Sequence, residues 1–145
     1  MVRCAFTWGP PLPHILKPDA GKTLEGTYAG SAYKNDAGNT ECVEFIKATL
    51  DAPPTNLWRE GVKIEKGKKS VLAGTAIATF INGKYPQTGS SGKHAAIYLD
   101  QDGSGIIVLD QWRAQGSVQK RTIRWNPTDP SSLSNNGNAF SVIEW

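Results

Sequence analysis

Only one stretch of this chain carries the period of an amphipathic helix, and it stands ahead of a long run of strand-like alternation. Cys42, Phe45, Ile46, Thr49 and Leu50 fall at i, i+3, i+4, i+7 and i+8, which is one helical face. Gly38, Asn39 and Thr40 ahead of them offer the turn and the capping oxygens that start a helix. Pro53-Pro54 behind them ends it, since neither ring can donate and the residue before a proline leaves helical geometry. From about Ser70 the period changes to two. Residues 76–81, 94–99, 106–111, 118–125 and 140–145 read as strands, parted by turns such as Asn82-Gly83, Asp102-Gly103-Ser104-Gly105 and Asn136-Gly137-Asn138. The pattern predicts an α+β domain: a helix with a cysteine in its first turn, packed on a mostly antiparallel sheet of about five strands.

The remainder is less periodic. Residues 1–38, with Gly9-Pro10-Pro11-Leu12-Pro13, read as an irregular arm with a short strand. Residues 58–63 read as a short helical or turn segment anchored by a buried Trp58. With 145 residues, no internal repeat and no second composition regime, a single domain is expected: arm 1–38, core 39–125, C-terminal strand 139–145.

Composition excludes several classes of function. A net charge of +3 without a long Lys/Arg run does not make a nucleic-acid surface, and Lys66-Gly67-Lys68-Lys69 reads as a solvated turn. No apolar stretch reaches membrane-spanning length, so no membrane partner is expected. The first residues, Met1 to Phe6, have no signal-peptide core, so the chain is expected to be made in the cytoplasm without a cleavable signal and either to stay there, to leave by a route that reads no such signal, or to have lost a preceding segment. Two cysteines and two histidines (His14, His94) at no zinc-like spacing predict no metal and no cofactor. A Cys4–Cys42 bridge would consume the thiol at the helix start.

The hairpin around Asp102 adds the chemistry. His94 and Asp110 each lie eight residues from Asp102, so a ladder centred there sets them opposite each other on one face, with Ala96 meeting Val108 and Tyr98 meeting Ile106. A slip by two keeps them on that face as diagonal neighbours. In this register the small Ala96 leaves room for the helix, while Ile97 and Leu99 point the other way. Cys42, His94 and Asp110 then assemble as nucleophile, base and orienter. A thiol at a helix N-terminus beside an imidazolium is drawn toward the thiolate. The oxyanion would be met by the backbone amide of Cys42 and by a second donor from the preceding loop, with Tyr33, Asn39 and Tyr28 as candidates. Each residue has a plainer reading: a core cysteine, a structural histidine, a strand-ending aspartate. Their order, Cys on a helix and then His and Asp on strands, favours the site.

Asn39-Thr40-Glu41-Cys42-Val43-Glu44-Phe45-Ile46-Lys47, Gly92-Lys93-His94-Ala95-Ala96-Ile97-Tyr98 and Val108-Leu109-Asp110-Gln111-Trp112 together resemble the NlpC/P60 and CHAP peptidoglycan amidases of the papain-like superfamily. Within it, the chain looks like the second family of type VI secretion amidase effectors and the related domesticated amidase effectors of animals. The resemblance carries over Cys42, His94 and Asp110. It implies cleavage of peptidoglycan peptides at the D-alanine–meso-diaminopimelate cross-link, delivery to the periplasm of a target cell, and a cognate immunity protein. A monomer is expected. Arg59, Lys93 and Arg113 suit an anionic peptide, and Trp112 would shield the His–Asp pair or line the cleft. Competing readings are a non-catalytic wall-binding module using some of the five tryptophans, an acyltransferase on the same plan, and an exported antibacterial defence amidase.

Overall fold

The computed structural model describes residues 14–89 and 92–145. Six strands form one antiparallel sheet in the order β1-β6-β2-β3-β4-β5: β1 Arg59–Lys63, β2 Ala76–Thr79, β3 Ala95–Gln101, β4 Gly105–Asp110, β5 Gln119–Arg124 and β6 Phe140–Glu144. Helix α1 spans Leu24–Tyr28 and helix α2 spans Cys42–Leu50.

The sixth strand corrects the expectation of about five. Residues 59–63 are not helical but form β1 at the sheet edge, pairing with β6 through Arg59↔Glu144. Arg-Glu-Gly-Val-Lys has no apolar face because both faces of this strand are largely solvated. Gly61 suits the crowding there, since a Cβ would come within 2.7 Å of the movable Glu144 Oε2 and 3.0 Å of the Val142 carbonyl. The anchoring tryptophan is as expected: Trp58 is fully buried and donates from Nε1 to the Pro53 carbonyl at 3.0 Å.

Helix α2 ends where Asp51 turns left-handed, ahead of the two prolines. Its start differs from expectation. Glu41 occupies the cap position without a side-chain bond, because Thr40 Oγ1 donates instead to the Trp112 carbonyl and the Asn39 N–H donates back to Asn35 Oδ1. The first-turn amides of α2 therefore have no side-chain cap, an arrangement that costs helix stability and leaves a partial positive charge beside Cys42. Part of the expected irregular arm is ordered as α1, with Thr23 Oγ1 accepting from the Gly26 N–H, and Ile15 bridges to Thr75. Five residues are too few to show a helical period. Residues 1–13, with the Pro-rich run and Cys4, lie outside the described residues.

Two buried clusters flank the sheet. Phe45 and Ile46 of α2 pack on Ala76, Ala78, Ala95, Ile97 and Leu109, whose alanines make the shallow bed that a helix can approach closely. The opposite face carries Ile77, Ala96, Tyr98, Ile106, Val108 and Ile123, covered by Ile64, Trp125 and Phe140. Ala95 and Ile97, not Ala96, thus face the helix. The hairpin register also departs from the one centred on Asp102. Ile97 pairs with Leu109 and Tyr98 with Val108, then a bulge at Leu99 shifts the pairs to Asp100↔Ile107 and Gln101↔Ile106. The turn explains the shift: Asp102 N–H donates to the Gly105 carbonyl, and Asp102 Oδ1 takes the N–H groups of Ser104 and Gly105. Asp102 flanks the turn and is not its centre. Beyond the bulge Asp110 falls level with Ala96, so it is a diagonal neighbour of His94; a displacement by an even number preserves which face each side chain takes.

Candidate active site

A cleft of about 670 Å³ opens at the head of α2. Glu41, Cys42 and Val43 form one wall, Tyr85, Pro86 and Gln87 another, and Lys93, His94, Trp112, Arg113, Ser134 and Asn135 close the rest. Cys42 is a free, partly exposed thiol. Its Sγ lies 3.7 Å from the Tyr85 hydroxyl and adjoins both the His94 ring and the Ala95 backbone N–H.

His94 stands one residue before β3 and is buried. Its backbone is fixed on both sides by Thr79 of β2, whose Oγ1 accepts from the His94 N–H at 3.1 Å and donates to the Gly92 carbonyl at 3.0 Å. Its Nε2 is bonded to Asp110 Oδ2 at 2.6 Å, which leaves Nδ1 as the nitrogen that faces the thiol. Strand alternation puts Asp110 on the Val108 face, away from α2, contrary to the expectation that all three residues share the helix face. His94 still joins them. At the end of its strand it spans from the carboxylate on one face to the thiol at the helix start.

Electrostatics follow from these contacts. Burial pushes the Cys42 thiol up, but the hydrogen bond and charge of His94, the Tyr85 hydroxyl and the Ala95 N–H outweigh it and hold the thiol below its ordinary value. Burial pulls the His94 ring down, while the Asp110 carboxylate and the Cys42 thiolate raise it to about 9. Burial, together with the neighbouring sulfur, raises Tyr85, which keeps its proton and stays a donor. The arrangement can hold a thiolate beside an imidazolium at neutral pH. Turnover that needs the protonated ring to release an amine is expected to fall as pH rises through about 9, where His94 gives up its proton. A kcat/KM profile still flat well above that pH would mean that another group donates.

Of the remaining expected residues, Trp112 lines the cleft with its ring steeply inclined to that of His94, 6.2 Å between centroids. Lys93 and Arg113 also line it, with Arg113 Nε bonded to Glu41 Oε1 at 2.7 Å, whereas Arg59 lies in edge strand β1 away from it. Tyr28, Tyr33 and Asn39 do not reach the cleft. Tyr28 donates its hydroxyl to the Lys17 carbonyl, Tyr33 stacks on Phe45 at 5.4 Å, and Asn39 braces the loop through its backbone. Proximity in sequence to Cys42 misled there.

Three residues escaped the sequence reading. Tyr85 sits in an aperiodic segment after the Asn82-Gly83 turn, with no signal to find it. Gln111 is fully buried: Oε1 accepts from the Tyr33 N–H, and Nε2 donates to the carbonyls of Tyr33 and Glu41. Arg121 of β5 donates from Nε to Asp110 Oδ2 at 2.7 Å. It could have been noticed, because alternation puts this cation on the same strand face as Ile123 and Trp125. Among the described residues no three His, Cys, Asp or Glu side chains converge as metal ligands, and no helix is long and apolar enough to cross a membrane.

A thiol at a helix start, a histidine at a strand start and an antiparallel sheet behind them give the chain a papain-like fold. The chain belongs to the domesticated amidase effector 2 family, whose sequence model matches residues 19–143. It is 40% identical over 114 residues to a type VI secretion amidase effector 2 protein of Salmonella typhi, covering 72% of this chain and 84% of that one. It is 35% identical to domesticated amidase effector 2 of Ixodes scapularis, covering 72% of this chain and 70% of the relative. A solved structure of type 6 secretion amidase effector 2 superposes with a TM-score of 0.67 at 35% identity, covering 79% of this chain and 87% of the other.

Proposed function

We propose that this chain is a cysteine amidase that hydrolyses amide bonds of peptidoglycan peptides. The observation that carries the reading is the free Cys42 thiol at an uncapped helix start, against a histidine held by a buried carboxylate and open to a cleft, in a chain of the amidase effector family. In this reading the Cys42 thiolate attacks the carbonyl carbon, and the oxyanion is met by backbone N–H groups at the head of α2 and by the Tyr85 hydroxyl. His94 passes its Nδ1 proton to the leaving amine, then takes a proton from the water that cleaves the thioester, while Asp110 holds the ring. The polar lining, with Glu41, Gln87, Lys93 and Asn135, admits water as acceptor and favours hydrolysis over acyl transfer.

Replacing Tyr85 by phenylalanine is expected to lower kcat about 10²-fold with KM little changed, the usual loss for one oxyanion donor. An unchanged kcat would reduce Tyr85 to its packing on Trp58.

The finer reading is an antibacterial effector that cuts the D-alanine–meso-diaminopimelate cross-link after delivery to a target periplasm, with a cognate immunity protein in its producer. Purified sacculi test the chemistry. Loss of cross-linked muropeptide dimers, followed by mass spectrometry, is expected; wall that is bound but intact would mean a binding module. Expression tests the compartment: the cytosolic form should be tolerated and a periplasm-directed form should lyse the cell. Lysis by the cytosolic form, unaffected by Cys42→Ala, would point to another target. The similarity to the domesticated amidase effector 2 of Ixodes scapularis keeps a second reading open, an exported antibacterial defence amidase with the same chemistry.

A further inference from the structure

Arg121 reaches the site from β5, where it is the cross-strand partner of Val108, and so its side chain lies on the sheet face that carries Asp110. Its Nε donates to Asp110 Oδ2 at 2.7 Å, the same oxygen that His94 Nε2 approaches at 2.6 Å. The other oxygen, Oδ1, is buried without a partner. Arg121 Nη2 stands 3.3 Å from His94 Nε2, and the guanidinium lies 4.7 Å over the Trp112 ring. When Nε2 carries its hydrogen, that 3.3 Å contact joins two donors, and when the ring is protonated it joins two cations. In both of those states the two groups cannot hydrogen-bond to each other.

We propose that Arg121 is a positioning residue of the His94 site: it pins the Asp110 carboxylate and cancels its charge, so that the ring is oriented without being locked in its protonated form. The inference rests on the reading of Cys42 and His94 as the reacting pair. An unopposed buried carboxylate would favour the imidazolium strongly and make it a reluctant acid toward a leaving amine. With Arg121 present, the Asp110–Arg121 pair is neutral, and moving the proton from Cys42 to His94 creates one balanced ion pair in an otherwise neutral cluster. A lysine would supply the same charge; the arginine adds a planar guanidinium that donates to the carboxylate while its face stacks on Trp112.

The groups that act on His94 come from several elements. Cys42 approaches from α2 with Tyr85 bonded to it, Asp110 from β4 and Arg121 from β5; Lys93 precedes it in the chain, and the Glu41–Arg113 pair also lines the cleft. Among the described residues only Asp110 and Arg121 bring a polar atom within hydrogen-bonding distance of Nε2.

Nitrogen-15 NMR titration of the histidine rings in the full chain tests this. The chain has two histidines, and His14, stacked on Trp145, is the internal control. In Arg121→Met the titration of His94 is expected to move upward by about one pH unit, with His14 unchanged. Arg121→Gln, which keeps a donor without the charge, should move it the same way and serves if the methionine variant fails to fold. Arg121→Lys should stay near the wild-type midpoint. A folded uncharged variant that titrates with wild type, or a lysine variant shifted as far as an uncharged one, overturns the proposal and leaves Arg121 as packing under Trp112. The readout does not depend on turnover. Absence of wall cleavage by the wild-type chain would sink the amidase reading and leave the ring titration to stand by itself.

Discussion

Cys42→Ala is expected to release no muropeptides from sacculi, a loss of at least about 10⁴-fold, while the domain stays folded. The thiol is partly exposed at the cleft, and α2 is held by Phe45 and Ile46, which the substitution does not touch. Unchanged near-ultraviolet circular dichroism with no detectable product is the expected pair of results. Cleavage at the wild-type rate would remove Cys42 as nucleophile, and an equally dead Cys4→Ala would remove the distinction between the two thiols. His94→Ala should match it, since the ring draws the thiol toward its anion and, in the proposed mechanism, supplies the proton that the amine needs.

Asp110→Ala is expected to cost activity and stability together. An orienter does not transfer the proton itself, so residual cleavage should stay measurably above that of Cys42→Ala, with kcat down about 10³- to 10⁴-fold. The structural loss is separate. Asp110 accepts from both His94 and Arg121 in a site where its own side chain is 0% exposed, and its removal leaves a guanidinium and an imidazole facing a void. Breaking one side of a buried ion pair typically costs about 3–5 kcal/mol, and the 24% exposure of Arg121 puts the expectation toward the lower end. Urea unfolding measures it. A variant as stable as wild type would show that Arg121 and His94 find other partners at no cost.

The parts of this architecture that were legible in the sequence are those that local chemistry dictates. The helix at Cys42–Leu50 follows from five apolar or small residues on one face and two prolines behind it. The neighbourhood of His94 and Asp110 was legible for a subtler reason: the true register lies two residues from the expected one, and a two-residue displacement moves a side chain along the strand without turning it over. The choice of which alanine lies under the helix had no such protection, because Ala95 and Ala96 differ only in parity and the residues around both are apolar. Edge strand β1 was illegible because an edge solvated on both faces has no apolar alternation. Tyr85 was illegible because a loop residue is brought to a thiol by tertiary structure alone.

One carboxamide carries a kinetic implication for the protein's fluctuations. Gln111 follows the strand that ends in Asp110 and bonds to Tyr33 and to Glu41, the residue just before Cys42, with all three bonds made by a fully buried side chain. The loop ahead of Cys42 therefore cannot loosen by itself. Its release would expose three polar groups of the loop at once and free the end of β4 in the same event, so these segments are expected to exchange and open as one cooperative unit. Thiol and carboxylate, far apart in the chain, then gain or lose their working geometry together, and few molecules carry half a site.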